Sequence, residues 1–200
     1  MNALIVLTHP DPSSFNHALA NVARDTLAGL GFETAFHDLC AENFPPVLPA
    51  AEIRRGAVPD PIVESHVREL ERADLIVVVH PNWWGKPPAV MAGWIDRVFR
   101  PERAYRFLEG DGGEGVPEGL LKAKAAVVFN TADTAPERER RVFGDPLERI
   151  WKDCVFGLCG VTDVRRHVFG VVCTSTPAMR REWLNDAARI VRETAAAIAG

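Results

Sequence analysis

Long apolar runs are missing from this 200-residue chain. Even Leu75 to Val79 falls far short of the roughly 20 residues that a bilayer-crossing helix needs. No basic stretch precedes the apolar residues Ala3 to Leu7, and polar residues follow at once, so a secretory leader is not expected. The four cysteines (Cys40, Cys154, Cys159, Cys173) form no CxxC pair; irregular spacing without an export signal predicts reduced thiols in a cytoplasmic protein. Basic charge is not in excess either. A formal net charge of −4 argues against nucleic acid as the main partner. The arginines around 138–141 alternate with acids, as on a solvated helix face. There are no internal repeats and no low-complexity linker. What is present, 47% hydrophobic and 25% charged residues, is the composition of an ordinary globular protein, and the whole of 1–200 reads as a single domain.

Apolar runs at Ala3–Leu7, Leu75–Val79 and Ala125–Phe129 predict strands covered on both faces. Phe32–Phe36 and Val164–Val172 complete a set of five. Helical spacing follows each in turn: from Phe15 to Leu30, over Ile62–Ala73, Pro88–Phe99, Leu147–Leu158 and Glu182–Ile198. Residues 38–60 and 100–123 read as long connections. Strands alternating with helices predict an α/β fold with a parallel sheet wrapped on both sides, in the doubly wound order 2-1-3-4-5. In that order the ligand site lies beyond the carboxyl ends of strands 1 and 3.

The loops at those two places carry unusual residues. The first, His9-Pro-Asp-Pro-Ser13-Ser14-Phe15-Asn16, contains no glycine, so it is not the Gly-x-Gly-x-x-Gly turn of a dinucleotide-binding site. Its hydroxyls and amide stand beside the free N–H groups of a helix start, which suits a terminal phosphate; a serine there is equally a plain helix cap. The second loop, Pro81-Asn82-Trp83-Trp84-Gly85, sets two indoles at the edge of the sheet, flat apolar walls for a planar heterocycle. His9 and His80 end neighbouring strands but have no third ligand nearby, so no metal site is expected.

Taken together, residues 3–16 and the stretch Pro81-Asn-Trp-Trp-Gly-Lys-Pro-Pro-Ala-Val-Met-Ala-Gly-Trp-Ile-Asp-Arg-Val-Phe99 resemble the NAD(P)H:quinone oxidoreductase family. This family includes ancillary flavoproteins of potassium-efflux systems and drug-activity modulator quinone reductases. Ala104-Tyr105 and Phe143-Gly144-Asp145 fall where the family has related segments. The resemblance implies a flavodoxin-like three-layer sandwich, a flavin, and hydride transfer from NADH or NADPH through flavin N5 to a quinone-like acceptor by a ping-pong route. FMN is expected over FAD, because no segment is visibly set aside for an adenine ring. His9, Ser13, Ser14, Phe15 and Asn16 would hold the phosphate and ribityl end. Pro81, Asn82, Trp83, Trp84 and Gly85 would contact the isoalloxazine, and Asn130, Thr131, Ala132 and Asp133 would form the loop at its pyrimidine edge. Tyr105 would lie over the substrate side, from the second subunit of a homodimer. A role as regulatory partner of a membrane transporter, or as a one-electron carrier, is the competing reading.

The chain also departs from the pattern. The mammalian enzymes have Thr-Thr-Gly-Gly where Asn130-Thr131-Ala132-Asp133 stands, and an ionised Asp133 near the pyrimidine would disfavour an anionic reduced flavin unless it is hydrogen-bonded. Phe143 replaces the histidine of their charge relay, and Ala92 a lysine. Arg100, Arg103 and Arg106 are candidates for a 2′-phosphate contact.

Overall fold

A computed structural model describes residues 1–54, 56–111 and 114–200. Its elements, in chain order, are β1 (Asn2–Leu7), α1 (Phe15–Gly29), β2 (Glu33–Asp38), α2 (Pro61–Arg72), β3 (Leu75–Pro81), α3 (Ala89–Val98), β4 (Tyr105–Arg106), β5 (Glu118–Gly119) and β6 (Ala125–Ala132). There follow α4 (Pro136–Arg138), α5 (Pro146–Arg149), β7 (Asp163–Gly170) and α6 (Pro177–Ala199). The main sheet is parallel throughout, in the order β2-β1-β3-β6-β7, which is the expected doubly wound order.

Because side chains alternate across a strand, each apolar run feeds two cores. Leu4, Val6, Ile76 and Val78 pack with Val67 of α2, Trp94 of α3 and Trp151 on one face. Ala3, Ile5, Leu7, Val77 and Val79 pack with Leu19 of α1 and Val191 of α6 on the other. One edge of this packing rests on the absence of a side chain. A Cβ on Gly93 of α3 would lie 2.1 Å from the Pro46 carbonyl oxygen, so the chain at Pro46 runs directly over that helix. Arg97 and Arg100 pin the chain there: both reach Glu52, and they also donate to the carbonyls of Pro45 and Ala57.

Several boundaries differ from the sequence expectation. β6 continues past Phe129 to Ala132, so Asn130 to Ala132 are strand and not loop. β7 ends at Gly170, before a left-handed Val171 (φ 44°) and a short 3-10 turn, Val172–Thr174. α6 begins at Pro177 rather than Glu182: the Thr176 hydroxyl accepts from Met179 N (3.2 Å) and proline occupies the first turn, where its missing N–H costs nothing. The helix expected over 147–158 is α-helical only to Arg149 and then widens into a π-helical stretch, Ile150–Gly157. A second π-helical turn, Glu139–Phe143, follows α4. Within the 100–123 connection, β4 and β5 form a small antiparallel ladder, Tyr105 opposite Gly119. None of the described helices is long and apolar enough to cross a membrane.

Candidate flavin and substrate cleft

The carboxyl ends of β1, β3 and β6 open onto a hollow of about 540 Å³. His9 to Asn16, Pro81 to Trp83, and Thr131 to Asp133 border it, on the three loops that topology brings together. Thr134, Val172, Cys173 and Arg180 close its far side. A second hollow of about 500 Å³ adjoins it, sharing Asn82 and residues 132–134. Its walls are Trp84, Gly85, Phe143 and Pro146, with Arg138 and Glu139.

The first loop is organised by its own polar groups. Asp11 Oδ1 accepts from both the N–H (2.8 Å) and the hydroxyl (2.7 Å) of Ser13, and the Ser13 hydroxyl bond holds its carboxyl below the usual range. Ser14 caps α1, accepting from His17 N, and its hydroxyl also meets His17 Nδ1 at 2.9 Å. Asn16 spends its amide on Thr131 of β6 (3.0 and 3.2 Å), stitching the start of α1 to the end of that strand. The side chains expected at a phosphate are thus already engaged. What faces the hollow in their place is the start of α1, with its unsatisfied N–H groups, and Arg180. Arg180 is held by Ser175 Oγ (2.8 Å) and the Val172 carbonyl (3.2 Å).

The second loop is a tight turn. Trp83 and Lys86 exchange backbone bonds (3.3 and 3.2 Å), and both residues between them have positive φ, Trp84 at 60° and Gly85 at 71°. Glycine takes that conformation freely; for Trp84 it is rare and carries a cost of order 1–3 kcal/mol. Asn82 Oδ1 secures the turn by accepting from Gly85 N (2.9 Å). The strained turn projects Trp84, which is 96% exposed, beside the second hollow, while the Trp83 ring sits 6.1 Å from that of His9 at the first.

Beneath this loop lies a buried polar chain. His80 Nδ1 donates to the Pro81 carbonyl (2.8 Å), so its Nε2 is the acceptor for Trp151 Nε1 (2.9 Å) and Asn130 Nδ2 (3.0 Å). Burial lowers its pKa to about 4, which keeps the ring neutral and suits that arrangement. Asn130 Oδ1 in turn accepts from Arg166 Nε (2.6 Å), and Arg166 Nη1 reaches Asp145 (2.8 Å) and Glu148 (3.0 Å). Gly144 and Asp145 both have positive φ (72° and 46°), so this ion pair sits at the bend that positions Phe143 and Pro146 on the second hollow.

Most of the sequence-predicted residues therefore converge, and two do not. Asn130 is fully buried and faces His80 and Arg166 rather than the cleft, because β6 carries it into the sheet. Tyr105 borders neither hollow of its own chain; it stands edge-on to Phe107 on the β4–β5 hairpin. Asp133 is hydrogen-bonded, accepting from Cys173 N (2.8 Å). Arg100, Arg103 and Arg106 are committed to Glu52, to Glu64 and Glu71, and to Glu118 respectively, which leaves none of them free for a 2′-phosphate. Arg180, Glu139 and Arg138 were not singled out by the sequence reading; Arg180 fell in a segment left outside the last helix.

Among the described residues one cluster elsewhere has metal-ligating side chains: His37, Glu42 and His66 approach one another beside α2. Trp94 Nε1 donates to His66 Nδ1 (3.1 Å), which leaves the proton of the neutral ring on Nε2, facing Glu42. A protonated nitrogen cannot ligate, and two remaining ligands do not make a site.

The chain matches the family model described as flavodoxin-like fold over residues 1–192. It is 32% identical over 194 residues to an uncharacterized NAD(P)H oxidoreductase of Haemophilus influenzae, covering 94% of this chain and 93% of that one. It is also 31% identical to the ribosyldihydronicotinamide dehydrogenase [quinone] of Pongo abelii, with 72% of each chain covered. This chain belongs to the NAD(P)H:quinone oxidoreductase family. Among solved structures, the family fold recurs in Smu.1420 of Streptococcus mutans, 28% identical with a TM-score of 0.85 over 96% of this chain and all of that one. An FMN-dependent NADH-azoreductase of Bacillus anthracis, solved with FMN, shares the fold at 14% identity and a TM-score of 0.76, each chain covered in full.

Proposed function

We propose that this family member binds FMN in the first hollow and passes two electrons from NADH or NADPH to a quinone-like acceptor in the second. The observation that carries the reading is the pair of adjoining hollows at the switch point of the sheet. One ends in a helix start and a cation, the other in exposed aromatic walls. The donor set fits the group. Backbone N–H groups of α1 and the Arg180 guanidinium suit a phosphate. Trp83 and the backbone of residues 81–83 and 131–133 suit a flat ring with polar edges. A relative named as an NAD(P)H oxidoreductase, another named as a ribosyldihydronicotinamide dehydrogenase [quinone], and an FMN-bound structure of the same fold accord with it.

When bound, a flavin supplies the hydride-accepting and hydride-donating centre; the protein supplies position and electrostatics. Arg180 anchors one end. Asp133 lies at the other, with one carboxylate oxygen accepting from Cys173 N–H. Trp84 and Phe143 would offer apolar walls to a donor and an acceptor that take turns there in a ping-pong sequence. Phe143 has no proton to give, so the titratable relay of the mammalian enzymes is absent at that position.

The working unit in this reading is a homodimer in the cytoplasm. Trp84, Val58, Leu108 and Val116 are exposed apolar side chains that association would cover, and the partner's Tyr105 would then complete the substrate side. All four cysteines are free thiols, as a reducing compartment requires. The test is an anaerobic one: the purified protein should be yellow, bleach with NADH or NADPH, and regain its colour on adding a benzoquinone in stoichiometric amount. A flavoprotein that its reduced nicotinamide cannot bleach would refute the proposal.

A further inference from the structure

The second hollow contains an acid that the proposed reaction does not use. Glu139 is only 7% exposed and borders the hollow, yet no described residue donates a hydrogen bond to its carboxylate or pairs with it. Buried acids elsewhere in the described chain are paired: Asp145 with Arg166, and Glu52 with Arg97 and Arg100. The carboxylate oxygens of Glu139 are not among the water-excluded unpaired atoms of the described residues, so their accessible surface opens on the hollow. An N–H donor brought by a ligand would find both oxygens unclaimed by any described residue.

Its surroundings define that ligand. Trp84, Phe143 and Pro146 are apolar walls suited to a planar ring. The other ionisable groups on the hollow are Asp133, which accepts from Cys173 N, and Arg138, whose guanidinium lies 5.5 Å from the Phe143 ring centre. Two carboxylates against one guanidinium leave the hollow negative, so an anionic ligand is disfavoured. Glu139 is also firmly placed. Its N–H donates to the Ala135 carbonyl (3.0 Å), and its own carbonyl accepts from Gly144 N and Asp145 N at the wide π-helical turn.

We infer that the Glu139 carboxylate is the specificity determinant of this hollow, selecting planar aromatic ligands that carry N–H donors, amide or amidinium, over anionic ones. A carboxylate accepts two such N–H groups side by side, and the nicotinamide ring of a hydride donor carries a carboxamide of this kind. The inference rests on the proposed function for its physiological ligand, but its test does not depend on turnover.

The experiment is equilibrium binding of benzamidinium, benzamide and benzoate to the purified protein, read as quenching of tryptophan fluorescence and by calorimetry. Wild type should bind benzamidinium most tightly, benzamide next and benzoate least. Glu139→Gln should weaken benzamidinium at least about tenfold, the scale of losing a hydrogen bond to a charged group, and narrow its lead over benzoate. Equal affinity of wild type for all three ligands would overturn the inference, and this needs no variant to fold. So would an unchanged benzamidinium affinity in a Glu139→Gln protein of normal melting temperature. If flavin and quinone reduction persist while these binding results fail, only this inference is lost. A protein with no flavin would instead remove the proposed function.

Discussion

Mild acid should destabilise this protein through two buried histidines. His66 and His80 are buried, and burial lowers both pKa values to about 4. In the unfolded chain each titrates near 6.5, so between those values the unfolded state binds more protons and stability falls as pH falls. At pH 5 the loss is about 2 kcal/mol for each ring relative to pH 7.5, about 4 together, against a total stability of roughly 5–15 kcal/mol. His37 works in the opposite sense. Burial lowers its pKa, but hydrogen bonds and charge from Glu69 and Glu42 outweigh this and raise it. Its contribution is therefore fully present below about 6.5 and is lost as pH climbs through the raised value, so it opposes the acid effect of the other two. Urea unfolding followed by far-ultraviolet circular dichroism at pH 7.5 and 5.0 measures the difference. The midpoint should drop markedly at pH 5.0, and His66→Gln should remove about half of the pH dependence whatever it does to baseline stability. An equal midpoint at both pH values, or an unchanged pH dependence in His66→Gln and His80→Gln alike, would refute the reasoning.

Other consequences are as direct. Gly93→Ala should cost about 1–3 kcal/mol, read as a lower melting temperature, since the new methyl meets the Pro46 carbonyl and outweighs the gain in helix propensity. Arg180→Ala should weaken FMN at least about tenfold in a fluorescence titration while leaving the melting temperature of the FMN-free protein nearly unchanged. Ser14→Ala should show the reverse balance: about 1 kcal/mol of stability lost with its cap, and a smaller change in FMN affinity than Arg180→Ala gives.

How legible these features were depended on whether a residue's surroundings matched its chemistry. Leu75 to Val79 is apolar and buried on both faces, so its pattern and its place agree. Asn130 and Thr131 are polar residues in an equally buried strand. They are tolerated there because Arg166, His80 and Asn16 satisfy them, and partners so distant in sequence leave no local trace. Glu139 was hidden in the same way. In the alternating run around 137–141 its neighbours Glu137, Arg138, Arg140 and Arg141 are exposed as a solvated face should be, and only the π-helical turn carries Glu139 inward. The start of α6 was readable, for Thr176-Pro177 is a cap followed by a first-turn proline; placing the start at Glu182 left Arg180 out of the site. The two-residue strands of the β4–β5 ladder are too short to carry any periodicity. The loops after β1 and β3 were found because they combine unusual composition with a topologically special place.

Titrating FMN into cofactor-free protein, while following both flavin and tryptophan emission, tests the central claim most directly. Saturable quenching of both signals at one equivalent of FMN per chain, with the tryptophan change lost in Trp83→Phe, is the expected result. Flavin emission that stays that of free FMN throughout the titration would contradict a cleft built to hold it.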